Sequence, residues 1–408
     1  MSEAKKIPLI FRVTSSNRFT VPVLLNTLER GRWNSLFDIR LAHTFKDMLR
    51  MVGRRRAVAA YSFMTPHLPE VSREIAWLRR KTGSRAIIVA GGPHPTGDPD
   101  GTLRLGFDAV LCGEGETGFP LLLESILNGT SVGCILRAPR LTDLDDSFPI
   151  SKIHSLVPPL EITRGCFHNC AFCQTRGRKP LYRSPESIER FLDELVKLGY
   201  VFRTGFICPS GFEYGCDRAG KWPVEALARL LASAKARGIR YLEYGIFPSE
   251  VRPDTVSHET VNLVKKYCSN RKITLGAQSA SDPVLKREKR GHSAGSIERA
   301  AALIREHGLR PQIDYILGFP DETEEDQVLT LQQMERLSVR YGAWNQVHYF
   351  LPLAGTPQFR QKSASISPKI VRLLEKWSRN GYASNWWKQG VKTAKNLERF
   401  KQSGISAS

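Results

Sequence analysis

Short apolar runs alternate with amphipathic stretches along the first third of the chain. Ile7 to Val13, Phe37 to Leu41, Ala57 to Phe63, Ala86 to Ala90 and Asp108 to Leu111 read as strands, while Val21 to Arg30 and Leu68 to Lys81 repeat apolar residues at helical spacing. Such alternation sets parallel strands beside helical crossovers, so a doubly wound, Rossmann-like α/β domain is expected over residues 1–137. Residues 138–159 are rich in Pro, Asp and Ser with weak periodicity and read as a linker.

A second alternating series occupies residues 160–357. Its strands are Leu160 to Thr163, Phe202 to Ile207, Tyr241 to Ile246, Ile273 to Ala277, Gln312 to Leu317 and Gln346 to Phe350. Helical stretches fall between them at Ser187 to Leu198, Val224 to Arg237, Glu259 to Tyr267, Ile297 to His307 and Glu324 to Leu337. Six units are too few for a closed eight-stranded barrel, which predicts a partial (β/α)6 barrel covered in part by the N-terminal domain or the tail. Residues 358–408 read as a basic helical extension.

Composition narrows the class. A chain of 408 residues with 41% hydrophobic content suits two or three domains with real cores and excludes global disorder. The opening segment, Met1 to Val21, carries Lys5 and Lys6, but its apolar run is broken by Arg12 and is too short for a signal peptide. No later stretch approaches a membrane span, so a cytoplasmic protein is expected. A formal net charge of +20 favours anionic partners, nucleic acid among them. From Lys362 onward ten Lys and Arg face only Glu375 and Glu398, with Trp377, Trp386 and Trp387 interleaved. That pattern suits base stacking, and equally suits tail helices that pack by their Trp faces.

Eight cysteines without a secretory signal point to metal or redox thiols. Three of them, Cys166, Cys170 and Cys173, stand at C-x3-C-x2-C spacing directly after the first strand of the second series, where such folds keep their chemistry. Three local thiolates ligate three irons of a 4Fe-4S cluster and leave the fourth open to an exogenous ligand, and Gly165 lets the backbone turn around it. A zinc site is the competing reading, with His168 or Cys208 as the fourth ligand. Cys112, Cys134, Cys208, Cys216 and Cys268 read as plain buried thiols, although Cys208 and Cys216 flank a loop at a strand end.

The cysteine loop, with Phe172 before its last cysteine, resembles the signature of the radical S-adenosylmethionine (SAM) superfamily. Gly276 to Asp282 followed by Arg290-Gly291-His292, Asp314 to Pro320, and Phe350 to Pro357 resemble later landmarks of the branch that contains methylthiotransferases. The resemblance implies that the open iron binds SAM and that reductive cleavage yields a 5'-deoxyadenosyl radical. It implies SAM contacts at Phe172, Ser210, Gln278, Ser279 and Gly318, and a reducing electron donor such as flavodoxin or ferredoxin. The Gly-Gly-Glu common after the second strand is replaced by Pro209-Ser210-Gly211, so a carboxylate for the SAM amino group is sought at Glu243 or Glu250.

The N-terminal domain resembles the cobalamin-binding domain that precedes the radical core in cobalamin-dependent members, and the chain as a whole resembles an uncharacterised cobalamin-binding/radical SAM group. The resemblance implies a cobalamin site at Gly91, Gly92 and His94 and at Gly113, Glu114, Gly115 and Glu116. Asp-x-His-x-x-Gly is missing, so cobalamin is expected without a protein His on cobalt, or the domain only shapes the site. The implied activity is cobalamin-dependent methylation of an unactivated carbon on an unidentified substrate. The alternatives are radical modification of tRNA or another nucleic acid without cobalamin, and a zinc-stabilised protein that only binds.

Overall fold

The computed structural model describes residues 6–130, 133–217 and 224–402, so Lys5 and the outermost residues of the two terminal domains lie outside the described residues. The N-terminal strands are β1 (Ile7–Arg12), β2 (Phe37–Ala42), β3 (Ala57–Ser62), β4 (Ala86–Gly91), β5 (Ala109–Cys112) and β6 (Cys134–Arg137). All pairs are parallel, in the order β2-β1-β3-β4-β5-β6. The two-residue strand period sends Leu9, Phe11, Val58, Ala60 and Val89 to one helix-covered face and Ile10, Ala59, Tyr61, Ile88 and Ala90 to the other. Both faces are apolar because both are buried, as parallel sheets require. The edge strand β6 is an addition to the five expected: it is four residues long and half-buried, and so carries almost no pattern.

Segment 138–159 is pinned to the first helix, Thr20–Glu29. Asn26 Nδ2 donates to the Ile150 carbonyl at 2.8 Å, Arg30 Nη1 to the Asp146 carbonyl at 2.7 Å, and Leu144 and Ile150 are buried. Short strands β7 (Leu160–Glu161), β8 (Thr163–Cys166) and β9 (Arg178–Tyr182) follow, then β10 (Arg203–Ile207), β11 (Tyr241–Glu243), β12 (Lys272–Gln278), β13 (Arg310–Leu317) and β14 (Trp344–Tyr349). Six of these make the expected parallel series as two half-sheets, β11-β10-β7 and β12-β13-β14. The seam between the halves is closed by Val251, whose N–H donates to Thr274 O and whose carbonyl accepts from Gly276 N, both at 2.9 Å.

Outer helices begin at side-chain caps. Ser184, Ser257, Ser293 and Thr323 each accept a backbone N–H of the first turn, replacing a donor the helix cannot satisfy itself. The tail forms helices Pro368–Arg379 and Trp386–Gln402. Trp377 and Trp387 enter the barrel core, while Leu397 enters the core of the N-terminal domain, so the tail ties the two together. Among the described residues no helix is long and apolar enough to cross a membrane.

Candidate functional site

The first strand of the second series does not run straight into the cysteine loop. Leu160–Glu161 pairs with β10, whereas Thr163–Cys166 turns away into an antiparallel hairpin with β9 that closes the loop at its base. Gly165 sits at φ +95°, and a Cβ there would stand 3.1 Å from the Arg178 and Lys179 carbonyls, so the close approach of the two strands requires glycine. The loop is fixed to its surroundings by Gly177 N to His168 O at 2.9 Å and Ala171 N to Glu288 O at 3.1 Å.

Cys170 is buried and Cys166 and Cys173 are partly so. Burial, with smaller contributions from Glu213, Cys173 and Cys170, pushes the Cys166 thiol up to about 12, so binding a metal is coupled to losing its proton. Among the described residues no three His, Cys, Asp or Glu side chains form a set for a single ion. A cuboidal cluster takes its thiolates at separate iron corners, so its ligands need not meet at one point. Arg290 Nη1 donates to Cys170 Sγ at 3.1 Å and Nη2 to the Gly276 carbonyl at 2.5 Å, placing a cation on the Cys170 sulfur. Beside it, Arg252 is buried with Nε and Nη1 lacking partners. From the loop after β10, Glu213 meets His168 Nε2 at 2.8 Å.

The residues implied for SAM lie around this loop in different states. Phe172 packs on Phe319 at 5.5 Å with the Arg290 guanidinium 6.0 Å from its ring. Ser210 is buried and its hydroxyl has no partner. Gln278, at the end of β12, holds φ +73°, a strained conformation for a residue with a Cβ. Ser279 is buried and is used by the turn, accepting from Ser281 N at 3.1 Å. Gly318 donates to Glu322 Oε2 at 2.5 Å and accepts from Ala364 N at 3.0 Å, so both its backbone groups are engaged within the chain. Glu243 is at the surface, paired with Arg203. Glu250 faces Asp314 inside the barrel, where burial and then Glu250 raise the Asp314 carboxyl to about 7.

In the N-terminal domain a crevice opens at the carboxyl ends of β1, β3, β4 and β5. Gly91, Gly92, Gly113 and Gly115 line it together with Arg12, Asn17, Thr20, Leu24 and Ser62. His94 does not line it: the ring is 1% exposed, stacked on Phe63 at 5.4 Å, hydrogen-bonded to Thr65 Oγ1 at 3.0 Å and kept neutral by burial, which lowers it to about 4. Glu114 and Glu116 turn to the other domain, where they hold Arg164 at 2.6 and 2.7 Å, and Glu161 adds a third carboxylate at 2.5 Å. Gln174 Nε2 reaches the Ala354 carbonyl at 2.7 Å, and a Cβ on Gly97 would stand 2.3 Å from Ala354 C, so the domains touch backbone to backbone. Glu213 and Gln174 escaped the sequence reading, while Arg164 in the cysteine loop and Arg252 in the Phe247 to Pro253 segment were legible only as parts of motifs. Arg290 was visible only as part of a motif.

Residues 160–334 match the Radical SAM superfamily and residues 23–123 match the B12 binding domain. An uncharacterized methyltransferase of Pyrococcus horikoshii is 26% identical over 65% of this chain and 61% of its own length. A tRNA-2-methylthio-N(6)-dimethylallyladenosine synthase of Thermus thermophilus is 28% identical over 60% of this chain and 52% of its own. The chain thus spans between half and two thirds of the length of these relatives. Among solved structures, the radical S-adenosylmethionine methyltransferase TsrM of Kitasatospora setae, with cobalamin and a [4Fe-4S] cluster bound, superposes with a TM-score of 0.64. It is 14% identical and covers 87% of this chain and 74% of its own. The cobalamin-dependent S-adenosylmethionine radical enzyme OxsB gives a TM-score of 0.61 at 14% identity over 81% of this chain and 52% of its own.

Proposed function

We propose that this chain, in which a B12-binding domain precedes a radical SAM domain, is a cobalamin-dependent radical SAM methyltransferase acting on an unactivated carbon. The observation that carries this reading is the joint between the two sites. Arg164, two residues before Cys166, is clasped by Glu114 and Glu116 from the loop that borders the N-terminal crevice. Cofactor sites set edge to edge suit a reaction in which hydrogen removal and methyl delivery converge on one substrate carbon. When bound, the cluster and SAM supply the one-electron chemistry and cobalamin the transferable methyl group.

Within the chain, Cys166, Cys170 and Cys173 would hold three irons of the cluster. Arg290 would balance the charge on the Cys170 thiolate, and Arg252, with two unpartnered buried nitrogens, would take the SAM carboxylate. Glu213, already at the cysteine loop, is better placed than Glu243 to meet the SAM amino group. Phe172 would wall the site. Gly91, Gly92, Gly113 and Gly115 would let cobalamin approach the sheet, and His94, folded under Phe63 and Thr65, would leave cobalt without a protein ligand. The nucleic-acid reading loses two of its three tail tryptophans, since Trp377 and Trp387 are core residues.

The crevice is tested with Thr20→Trp, a bulky side chain at an exposed position of its rim. After anaerobic reconstitution and desalting, the native protein is expected to retain cobalamin by absorption and the variant to lose it at unchanged iron content. A native protein that retains none, or a variant that retains as much, contradicts the proposal.

A further inference from the structure

The barrel interior holds a second constellation, deeper than the cysteine loop. Along β12, β13 and β14 the residues Ile273, Leu275, Ala277, Ile313, Tyr315, Leu317 and Val347 belong to the core beneath the helices. The two-residue period therefore turns Thr274, Gln312, Asp314, Gln346 and His348 to the opposite face, the lumen. Register places Thr274 beside Gln312, and Asp314 between Gly276 and Gln346. Val251 bridges to Leu275 and shares its core, which sets Glu250 on the lumen side near Thr274.

The amides of the lumen are satisfied. Lys272 Nζ donates to Gln312 Oε1 at 2.7 Å, Gln312 Nε2 to Gln346 Oε1 at 3.4 Å, and Gln346 Nε2 lies 3.1 Å from His348 Nε2. The oxygens between them are not. Thr274 is 1% exposed and its Oγ1 has no partner, and Asp314 Oδ1 is buried with none. Among the described residues no cation forms an ion pair with Asp314 or Glu250: Lys272 bonds to Gln312 and acts on Asp314 only from a distance, Arg290 bonds to Cys170 and Gly276 O, and Arg252 bonds through Nη2 to Asp254 and the Arg290 carbonyl. Burial raises both carboxyls and Glu250 raises Asp314 further, against the partial relief given by Gln312 and Lys272, so the pair resists carrying two negative charges in the free protein and a ligand that brings a cation relieves it.

We propose that Glu250, Asp314 and Thr274 form the substrate-recognition pocket of the barrel, and that it takes an ammonium or guanidinium group of the molecule to be methylated. The inference rests on the reading of the barrel as a radical SAM active site. Asp314 and Glu250 anchor the cation, the Thr274 hydroxyl accepts one of its N–H groups, and Trp386, 61% exposed and 5.9 Å from the His348 ring, stands at the rim.

The test uses the full chain reconstituted with iron, sulfide and cobalamin in the presence of SAM. Saturation-transfer NMR follows n-butylguanidinium and n-butylammonium against n-butanol and n-butyrate. The two cations are expected to bind saturably, with the alcohol and the acid silent, and Glu250→Gln/Asp314→Asn to bind the cations about tenfold more weakly. At pH 8, where Asp314 is ionised, the single variant Asp314→Asn is expected to raise the thermal midpoint, because it removes a buried charge that has no ion-pair partner. Silent cations, an equal response from all four probes, an unchanged double variant, a lowered midpoint or a double variant that loses SAM in place of the cation would each overturn the proposal. 5'-Deoxyadenosine release by the native protein, once dithionite is added to the same samples as the electron source, separates the outcomes. If release persists without cation binding, only the pocket fails, and if release is absent, the radical SAM reading fails with it.

Discussion

Arg290 is the residue that touches the proposed cluster cysteines most directly, donating to Cys170 Sγ. A guanidinium donating to a thiolate sulfur stabilises the more negative, reduced cluster, so Arg290→Met is expected to lower the reduction potential by on the order of 50 mV, the one-electron equivalent of a hydrogen bond worth about 1 kcal/mol. An EPR-monitored redox titration reads this, and an unchanged potential would contradict it. Asp314 gives a pH signature. With its carboxyl raised to about 7 by burial and then by Glu250, the folded chain keeps a proton between about pH 4 and 7 that the unfolded chain has released. Its contribution to stability is therefore present at acid pH and is lost as pH rises through about 7. Asp314→Asn should gain on the native protein across that window, by on the order of 4 kcal/mol, and run parallel to it above, in urea melts at a series of pH values. A constant difference would contradict the assignment. The three cysteines were legible because their relation is local. Arg290 and Cys170 are 120 positions apart, and His168 and Glu213 are 45 apart, so no spacing rule could pair them.

At the scale of elements, the hairpin of β8 and β9 does what a plain strand end could not. It carries Cys166 at its tip and Arg164 on its side, so the cysteine loop and the N-terminal crevice are positioned by one piece of chain. Removing the guanidinium leaves Glu114, Glu116 and Glu161 facing one another partly buried, and Arg164→Met is expected to cost about 3–5 kcal/mol in urea unfolding at neutral pH. A loss under about 1 kcal/mol would show the clasp to be an ordinary surface pair. The six barrel strands and five outer helices were visible in the sequence because their periodicity is long and their caps are standard. The hairpin was hidden because its strands alternate poorly and one of them is made of the signature itself. Strand β6 was hidden by its length, and the linker's order by anchors such as Asn26 to Ile150 that lie in another element.

Across the whole molecule, the two domains form one body held at three places: the Arg164 clasp, the contact of Gly97 with Ala354, and the tail that gives Trp387 to one core and Leu397 to the other. The chain carries a net charge of +20, and the barrel interior runs against it where Glu250 faces the buried Asp314. The proposed activity requires that Cys166, Cys170 and Cys173 assemble a cluster that cleaves SAM. The direct measurement is 5'-deoxyadenosine formation by the anaerobically reconstituted protein under reductant, beside a Cys166/Cys170/Cys173→Ala variant, with methyl-labelled SAM and cobalamin present. The prediction is release of 5'-deoxyadenosine by the native protein alone, with label appearing on the retained cobalamin. A colourless native protein that loads zinc and leaves SAM intact would contradict it.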